Sequence, residues 1–299
     1  MATVIELENV TKWYGRRRGI EDVTFSVEAG EVFGYLGPNG AGKTTTIRLL
    51  VDLIRPTGGR ARVLGMDPRR DAVEIHRRLG YLPGEFGLYD HLTGLEYLTY
   101  LANLRGGLDE RSVRQLADRL DLDLTVRIRA LSHGNKQKLG LVQAFMHEPD
   151  VLILDEPTQG LDPLVQQTFH GLLAESRRAG RTVFLSSHVM PEVERLCDRV
   201  GIVREGRLVA VEDIAELKAK EFRTVEVRIA GPTPDAELTA VPGVRDVRSD
   251  GEVVRFTVVG EMDGALKALA RHRVIDLVSH EPSLEDLFLA FYGGADGAS

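Results

Sequence analysis

Residues 37–44 read Gly37-Pro38-Asn39-Gly40-Ala41-Gly42-Lys43-Thr44 and lie between an apolar segment, 32–36, and a helix-like segment that opens at Thr45. The pattern Gly-x-x-x-x-Gly-Lys-Thr between a strand and a helix is typical of a loop that binds nucleotide phosphates. Glycines let the backbone wrap a phosphate and turn its N–H groups inward, and the helix N-terminus adds partial positive charge. Lys43 adds a full charge toward the β- and γ-phosphates, and the Thr44 hydroxyl is a ligand for Mg²⁺. The sequence therefore predicts a nucleotide site formed by residues 37–45.

A pair of carboxylates follows the apolar run Val151–Leu154, where Asp155 and Glu156 stand side by side. Such a run is typical of a buried parallel strand. The C-terminal end of that strand would lie at the ligand edge of the sheet, where the phosphate loop also lies. There Asp155 would orient Mg²⁺, and Glu156 would polarise a water for attack on the γ-phosphate. Beside a phosphate loop, this interpretation is favoured over a simple turn cap.

Composition narrows the class of protein. The chain has 299 residues with 38 basic and 45 acidic side chains, and its net charge of −7 argues against a protein that grips nucleic acid through its phosphates. The single cysteine, Cys197, excludes an intrachain disulfide framework and favours a reducing compartment. The longest apolar run has six residues, 287–292, whereas a membrane-spanning helix needs about 20. We therefore expect no membrane span and no nucleic-acid partner.

The order of patterns predicts an α/β core. Segments 4–10 and 23–27 alternate apolar and polar residues, as in half-buried antiparallel strands, whereas 151–154 and 182–185 suit a buried parallel sheet. The stretch from about 86 to 145 has helical periodicity and interrupts the α/β alternation. We expect a phosphate-loop core with an antiparallel N-terminal subdomain and an inserted helical subdomain.

The last part of the chain has a different pattern. Between 224 and 279 the order is strand, helix, strand, strand, helix, strand, which is the split β-α-β arrangement of ferredoxin-like domains. A final helix is predicted over 284–292. We place the boundary between residues 217 and 218, which gives a nucleotide-binding domain, 1–217, and a small α+β accessory domain, 218–299.

Further motifs resemble those of the ABC-transporter ATPases. The segment Leu131-Ser132-His133-Gly134-Asn135 resembles the family's Leu-Ser-Gly-Gly-Gln signature, in which Ser132 and Gly134 match while His133 and Asn135 depart. The resemblance implies that Ser132 and Gly134 contact the γ-phosphate of ATP held by the opposite subunit. Gly160-Leu161-Asp162 resembles the D-loop, so Asp162 is expected to lie toward that opposite site.

Two more positions carry roles by the same resemblance. Tyr14 is similar to the aromatic residue that stacks on adenine, with Trp13 as the alternative. His188, after the strand-like segment 182–185, resembles the switch histidine that contacts the γ-phosphate and positions Glu156.

One position departs from the family pattern in a way that affects the metal site. Where the family has a glutamine that ligates magnesium, this chain has Pro83-Gly84-Glu85, so Gly84 stands in its place. Glycine has no side chain to ligate a metal. We expect Glu85 to reach Mg²⁺ directly or through water; the alternative is that water alone takes this position.

The resemblance also implies partners. A single phosphate loop with a single signature does not complete a site in this family, so the chain is expected to form a homodimer, or a heterodimer with a related ATPase, around two ATP molecules with Mg²⁺. The chain would then bind a separate transmembrane permease through the region of Phe86, Tyr89, Tyr97 and Tyr100. This implies a location at the cytoplasmic face of the cell membrane.

The expected function is that of an ATP-hydrolysing subunit of an ABC transporter. The segment 281–288 resembles the appendage of exporter ATPases of the drug-resistance and antibiotic branch, which favours export of a drug, antibiotic or lipid-like compound. Alternatives are a soluble ABC ATPase that acts on ribosomes or DNA, an importer subunit, and a module that binds nucleotide without hydrolysis. Lys43, Asp155, Glu156 and His188 argue against the last of these.

Overall fold

The computed structural model describes residues 2–85, 87, 89–107, 109–219 and 222–280. The chain divides into two compact units, of which the first extends to Glu212 and the second begins at Asp213. The sequence-based boundary lies at 217/218, close to this division. Within the described residues, no helix is long and apolar enough to cross a membrane.

The first unit contains two sheets. Strands β1 (Thr3–Tyr14), β2 (Arg17–Glu28) and β4 (Gly58–Val63) form an antiparallel sheet in the order β2-β1-β4. The second sheet has the order β5-β6-β7-β3-β8-β9, with strands at Leu79–Leu82, Val151–Asp155, Thr182–Ser187, Val32–Leu36, Arg199–Arg204 and Arg207–Asp213. The pairs from β5 to β8 are parallel. Strands β3, β6 and β7 are buried along their whole length, which explains their uninterrupted apolar sequences.

Aromatic rings join the two sheets of the first unit. Phe25 of β2 stacks on Phe33 of β3 and on Phe184 of β7, with ring centroids 5.2 and 5.9 Å apart. Burying three phenylalanines together removes a large apolar area from water and fixes the antiparallel sheet against the parallel one. The N-terminal strands are thereby held beside the phosphate loop that follows β3.

Helices surround the parallel sheet and form an insertion in it. They are α1 (Lys43–Leu50), α2 (Ala72–Arg78), α3 (Gly94–Leu104), α4 (Glu110–Arg119), α5 (His133–Phe145), α6 (Pro163–Arg178) and α7 (Met190–Leu196). Between β5 and β6 the chain holds α3, α4, a 3₁₀ turn at Ile128–Ala130 and α5. Helix α3 begins with a capping box in which the side chains and backbones of Thr93 and Glu96 satisfy each other. This all-helical insertion is the helical subdomain that the fold-class prediction includes.

The second unit has its own sheet and core. After α8 (Ile214–Ala219) come β10 (Phe222–Ile229), α9 (Asp235–Thr239), β11 (Val244–Asp250), β12 (Val253–Val259), α10 (Asp263–Leu269) and β13 (Val274–His280). The sheet order is β11-β12-β10-β13 with every pair antiparallel, as in a ferredoxin-like domain. Alternate residues of β10 and β12 pack with α9 and α10 around Phe256. The helix predicted over 284–292 lies outside the described residues.

Candidate active site

The phosphate loop follows the buried strand β3 and ends at α1, as its sequence predicts. Gly42 has a φ of +110°, in the region that favours glycine. A Cβ atom there would lie 2.7 Å from Ile20 Cγ2 and 3.0 Å from the Gly19 carbonyl oxygen. The hairpin of β1 and β2 therefore presses directly against the loop, and only glycine fits this position.

Lys43 and His188 converge on the carboxylate of Glu156. The Lys43 ammonium donates to the Gly37 carbonyl at 2.6 Å and lies 3.1 Å from Glu156 Oε1. His188 Nδ1 lies 2.8 Å from Glu156 Oε2. Glu156 itself has a φ of +50°, in the left-handed region that is uncommon for a residue with a side chain. Residues from three separate parts of the sequence thus meet at the end of β6, with 113 positions between Lys43 and Glu156 and 32 between Glu156 and His188.

Asp155 is fully buried, and only one of its two oxygens has a hydrogen-bond partner. The Ser186 hydroxyl donates to Oδ1 at 2.6 Å, whereas Oδ2 has no hydrogen-bond partner in the part of the chain that the structure describes. Burial raises the pKa of Asp155, opposed by the Ser186 hydroxyl. A buried carboxylate oxygen without a partner, beside the Thr44 hydroxyl in one cleft, suits a hard divalent cation that prefers oxygen ligands. These residues fit Mg²⁺.

The loop after β5 approaches the same carboxylate. A Cβ atom added to Gly84 would lie 3.0 Å from Asp155 Oδ2, so the position at which the resemblance implies a glutamine lies beside the candidate metal ligand. Glu85 is exposed and lines the cleft. The structure therefore brings Glu85 to the site, while its role as a magnesium ligand stays a prediction.

The cleft around these residues has a volume of about 680 Å³, ample for a nucleotide. The residues that line it come from four parts of the sequence: the β1–β2 hairpin, the phosphate loop with α1, the loop after β5, and the segment at the end of β6. They are Tyr14, Arg17, Arg18, Gly19, Pro38, Asn39, Gly40, Gly42, Lys43, Thr44, Thr45, Arg48, Gly84, Glu85, Asp155, Glu156 and Gln159. Gly37 and Ala41 lie beneath this surface as buried parts of the loop. Tyr14 stands at the cleft and Trp13, the alternative, does not line it. The Lys12 ammonium lies 5.2 Å from the centre of the Tyr14 ring.

Ser132, Gly134 and Asp162 are described by the structure but do not line this cleft. The Ser132 hydroxyl accepts from the Asn135 N–H at 3.2 Å and so caps α5, and the Asp162 carboxylate caps α6. Backbone hydrogen bonds at that helix start hold the pKa of Asp162 below its usual value. The signature and D-loop segments pack together, since a Cβ on Gly134 would lie 2.7 Å from the Gly160 carbonyl oxygen. Their predicted contact with the nucleotide of an opposite subunit stays a prediction.

Two positioning residues were missed by the sequence-based interpretation. Ser186 donates to Asp155 and also accepts from the Glu156 N–H at 3.0 Å, so one hydroxyl fixes both acidic residues. Gln137 of α5 is 2% exposed and donates to the carbonyls of Glu156 and Pro157 at 3.0 and 3.1 Å. For Gln137, the available signal was a polar side chain at a buried position of α5, since a buried amide needs hydrogen-bond partners. For Ser186, the signal was the serine just before the segment Ser187-His188.

Comparison with known proteins identifies the family. Residues 20–159 match the family model described as ABC transporter. Over 98% of its length the chain is 34% identical to a bacitracin transport ATP-binding protein of Bacillus licheniformis, 99% of which is covered. The chain belongs to the ABC transporter ATP-binding proteins. Its activity is accordingly ATP binding and hydrolysis, and ABC ATP-binding subunits act as dimers with transmembrane partners.

Further relatives of this ABC ATP-binding protein agree in length and fold. A linearmycin resistance ATP-binding protein of Bacillus subtilis is 31% identical over 97% of this chain and 98% of its own length. A solved structure of the ATP-binding subunit of an ABC transporter has a TM-score of 0.67 at 32% identity and covers 73% of this chain and 92% of that one. A dimeric ATP-binding cassette bound to ADP and Pi has a TM-score of 0.65 at 23% identity, covering 70% of this chain and 98% of that one, and shares the fold. The predicted phosphate-loop ABC core is confirmed.

Proposed function

We propose that this ABC ATP-binding protein powers export of a drug, antibiotic or lipid-like compound through a separate permease, at the cytoplasmic face of the cell membrane. The observation that carries the proposal is similarity over nearly the whole chain, second unit included, to a bacitracin transport and a linearmycin resistance ATP-binding protein. An importer subunit and a soluble factor acting on ribosomes or DNA have no comparable support. The net charge of −7 also disfavours a nucleic-acid partner.

The site's geometry supports a hydrolytic mechanism with separate tasks for its residues. Backbone N–H groups of residues 37–45 and the Lys43 ammonium would hold the phosphates, while Tyr14 would stack on the base. Glu156 would orient water and accept its proton, and His188 would hold the carboxylate in place through the observed 2.8 Å contact. Bound Mg²⁺, held by Thr44 and Asp155 with Glu85 as a further candidate ligand, would neutralise charge on the phosphate oxygens.

Completion of each site would require a second subunit, either a copy of this chain or a related ATPase. Ser132, Gly134 and Asp162 lie away from the cleft of their own chain, which is consistent with a role across a twofold interface. Two such subunits would close around two ATP molecules and separate after hydrolysis.

The helical subdomain offers a surface for the permease. Tyr89 and Tyr100 are about half exposed and their rings meet edge to face with centroids 5.8 Å apart. Tyr97 is buried and donates to Gln143 at 2.7 Å, so it belongs to the core. Phe86 lies outside the described residues. We propose the pair Tyr89 and Tyr100 as the contact surface.

Two measurements test the proposal. Glu156→Gln should abolish ATP hydrolysis while leaving ATP binding intact, and ATP should then trap a dimer that size-exclusion chromatography detects. Glu205→Gln, at an exposed carboxylate, is the matched control and should behave as the wild type. Hydrolysis at the wild-type rate in Glu156→Gln would refute the catalytic assignment. Copurification of the tagged chain from membranes with an integral membrane protein supports the transporter role, and its absence from membranes contradicts it.

A further inference from the structure

Glu192 is a partly buried acid beside the active site for which the proposed mechanism has no task. It is the third residue of α7, and its Oε2 atom accepts from the Ser187 hydroxyl at 2.8 Å. Its other oxygen, Oε1, is buried and has no hydrogen-bond partner among the described residues. Burial raises the pKa of Glu192, opposed by the hydroxyls of Thr158 and Ser187. Such a group is costly to bury, so a structural or functional reason for it is expected.

The partner of Glu192 fixes the turn that carries His188. The Ser187 hydroxyl donates to Glu192 and accepts from the Val189 N–H at 3.0 Å, so it bonds to the residue on the far side of the histidine. The Ser187 carbonyl also accepts from the Gly37 N–H of the phosphate loop at 3.3 Å. Because a hydroxyl has one proton to donate, the carboxylate of Glu192 decides which way that hydroxyl points.

The His188 side chain is itself poorly packed. It is 41% exposed, and its Nδ1 atom lies 2.8 Å from Glu156 Oε2. With little packing around the ring, its direction depends on the backbone of residues 187–189. We propose that Glu192 is a positioning residue for ATP hydrolysis, which acts through Ser187 to hold His188 against Glu156.

A purely structural role for Glu192 makes a different prediction. An acid in the first turn of a helix stabilises that helix through its dipole and free N–H groups. In that case Glu192→Ala would lower the melting temperature and leave turnover per folded molecule unchanged. The positioning role instead requires that turnover falls, and that it falls only while His188 is present.

The test is a double-mutant cycle on ATP hydrolysis by the full chain, and it rests on the proposed role of His188. We expect Glu192→Ala and Ser187→Ala to lower kcat about tenfold while KM for ATP stays within about twofold, because neither of these two residues lines the nucleotide cleft. Glu192→Gln should keep most of the activity, since its amide oxygen accepts the same hydrogen bond. In the His188→Ala background, Glu192→Ala should have no further effect on kcat. Arg195→Ala, on the exposed side of the same helix, is the control.

The outcomes separate the inference from the function on which it rests. The inference is overturned if Glu192→Ala has the wild-type kcat, or if Glu192→Ala lowers kcat as much in the His188→Ala background as it does alone. In either case, a lower kcat in the His188→Ala single variant still supports the role of the histidine. Wild-type kcat in His188→Ala overturns that role and the inference with it. Where Glu192→Ala does not fold, Ser187→Ala and Glu192→Gln decide the question by the same criteria.

Discussion

Replacing Gly84 by alanine tests how closely the loop after β5 approaches the candidate magnesium ligand. The added Cβ would lie 3.0 Å from Asp155 Oδ2 and 3.2 Å from its Cγ. Nonbonded carbon atoms pack best at about 3.5–4.0 Å, so the carboxylate has to move by about 0.5 Å. Gly84 does not have a positive φ, so the substitution strains no backbone angle.

The magnitude follows from where the carboxylate is held. Its Oδ1 atom is fixed by Ser186, so the displacement falls on Oδ2, the oxygen that faces the candidate metal site. A misplacement of about 1 Å in an active site costs about 100-fold in rate. Half of that displacement corresponds to a rate about tenfold lower, or about 1.4 kcal/mol of activation free energy. We therefore expect Gly84→Ala to lower the rate of ATP hydrolysis about tenfold at sub-saturating Mg²⁺, and to raise the Mg²⁺ concentration needed for half-maximal hydrolysis.

The assay is the steady-state rate of ATP hydrolysis as a function of Mg²⁺, together with a melting temperature for each variant. Gly87→Ala is the matched control, because no heavy atom of the described residues lies within 4 Å of a Cβ added there. An unchanged Mg²⁺ requirement in Gly84→Ala would refute the argument. A melting temperature lowered in parallel with the rate would show a packing defect instead of a metal-site effect.

Two further predictions concern buried polar groups. Ser186→Ala should lower kcat about tenfold, because it leaves the Asp155 carboxylate and the Glu156 N–H without their shared partner. Ser186→Thr keeps the hydroxyl and should restore the rate. Equal rates of ATP hydrolysis in the wild type, Ser186→Ala and Ser186→Thr would contradict this. Burial lowers the pKa of His147 to about 4, below the unfolded value of about 6.5. The unfolded chain therefore binds the proton first, and stability should fall by about 1–2 kcal/mol between about pH 7 and pH 5. The free energy of unfolding, measured with urea at several pH values, should depend less on pH in His147→Gln than in the wild type. The same pH dependence in both proteins would refute the lowered pKa of His147.

Local patterns were enough to predict the elements that carry the site. The phosphate loop is recognisable because its glycines, Lys43 and Thr44 act within eight consecutive residues. Strand β6 is recognisable because burial on both faces demands an uninterrupted apolar run. The split β-α-β unit was equally visible, since its strands and helices alternate at short intervals and a hairpin joins β11 to β12.

The contacts that depend on strand order could not be predicted from the sequence. Asp155 and Ser186 are direct neighbours because β6 and β7 pair in parallel with those two residues in register. Gly84 reaches Asp155 because β5 pairs with β6, and both strands end at the same edge. Nothing local in the sequence states which parallel strands are adjacent or in what register. The face of a helix was similarly ambiguous for Tyr97, which is buried while its neighbour Tyr100 is not.

The separate core of the second unit affects how any unfolding experiment on this protein is to be interpreted. The chain has a single tryptophan, Trp13, which lies in β1 of the first unit. The second unit packs around Phe256 and has no tryptophan of its own. Units with independent cores need not melt together, so one midpoint does not describe the whole chain. Indole emission follows the ATP-binding unit alone, and melting of the accessory sheet would pass unseen unless circular dichroism or amide exchange is recorded beside it.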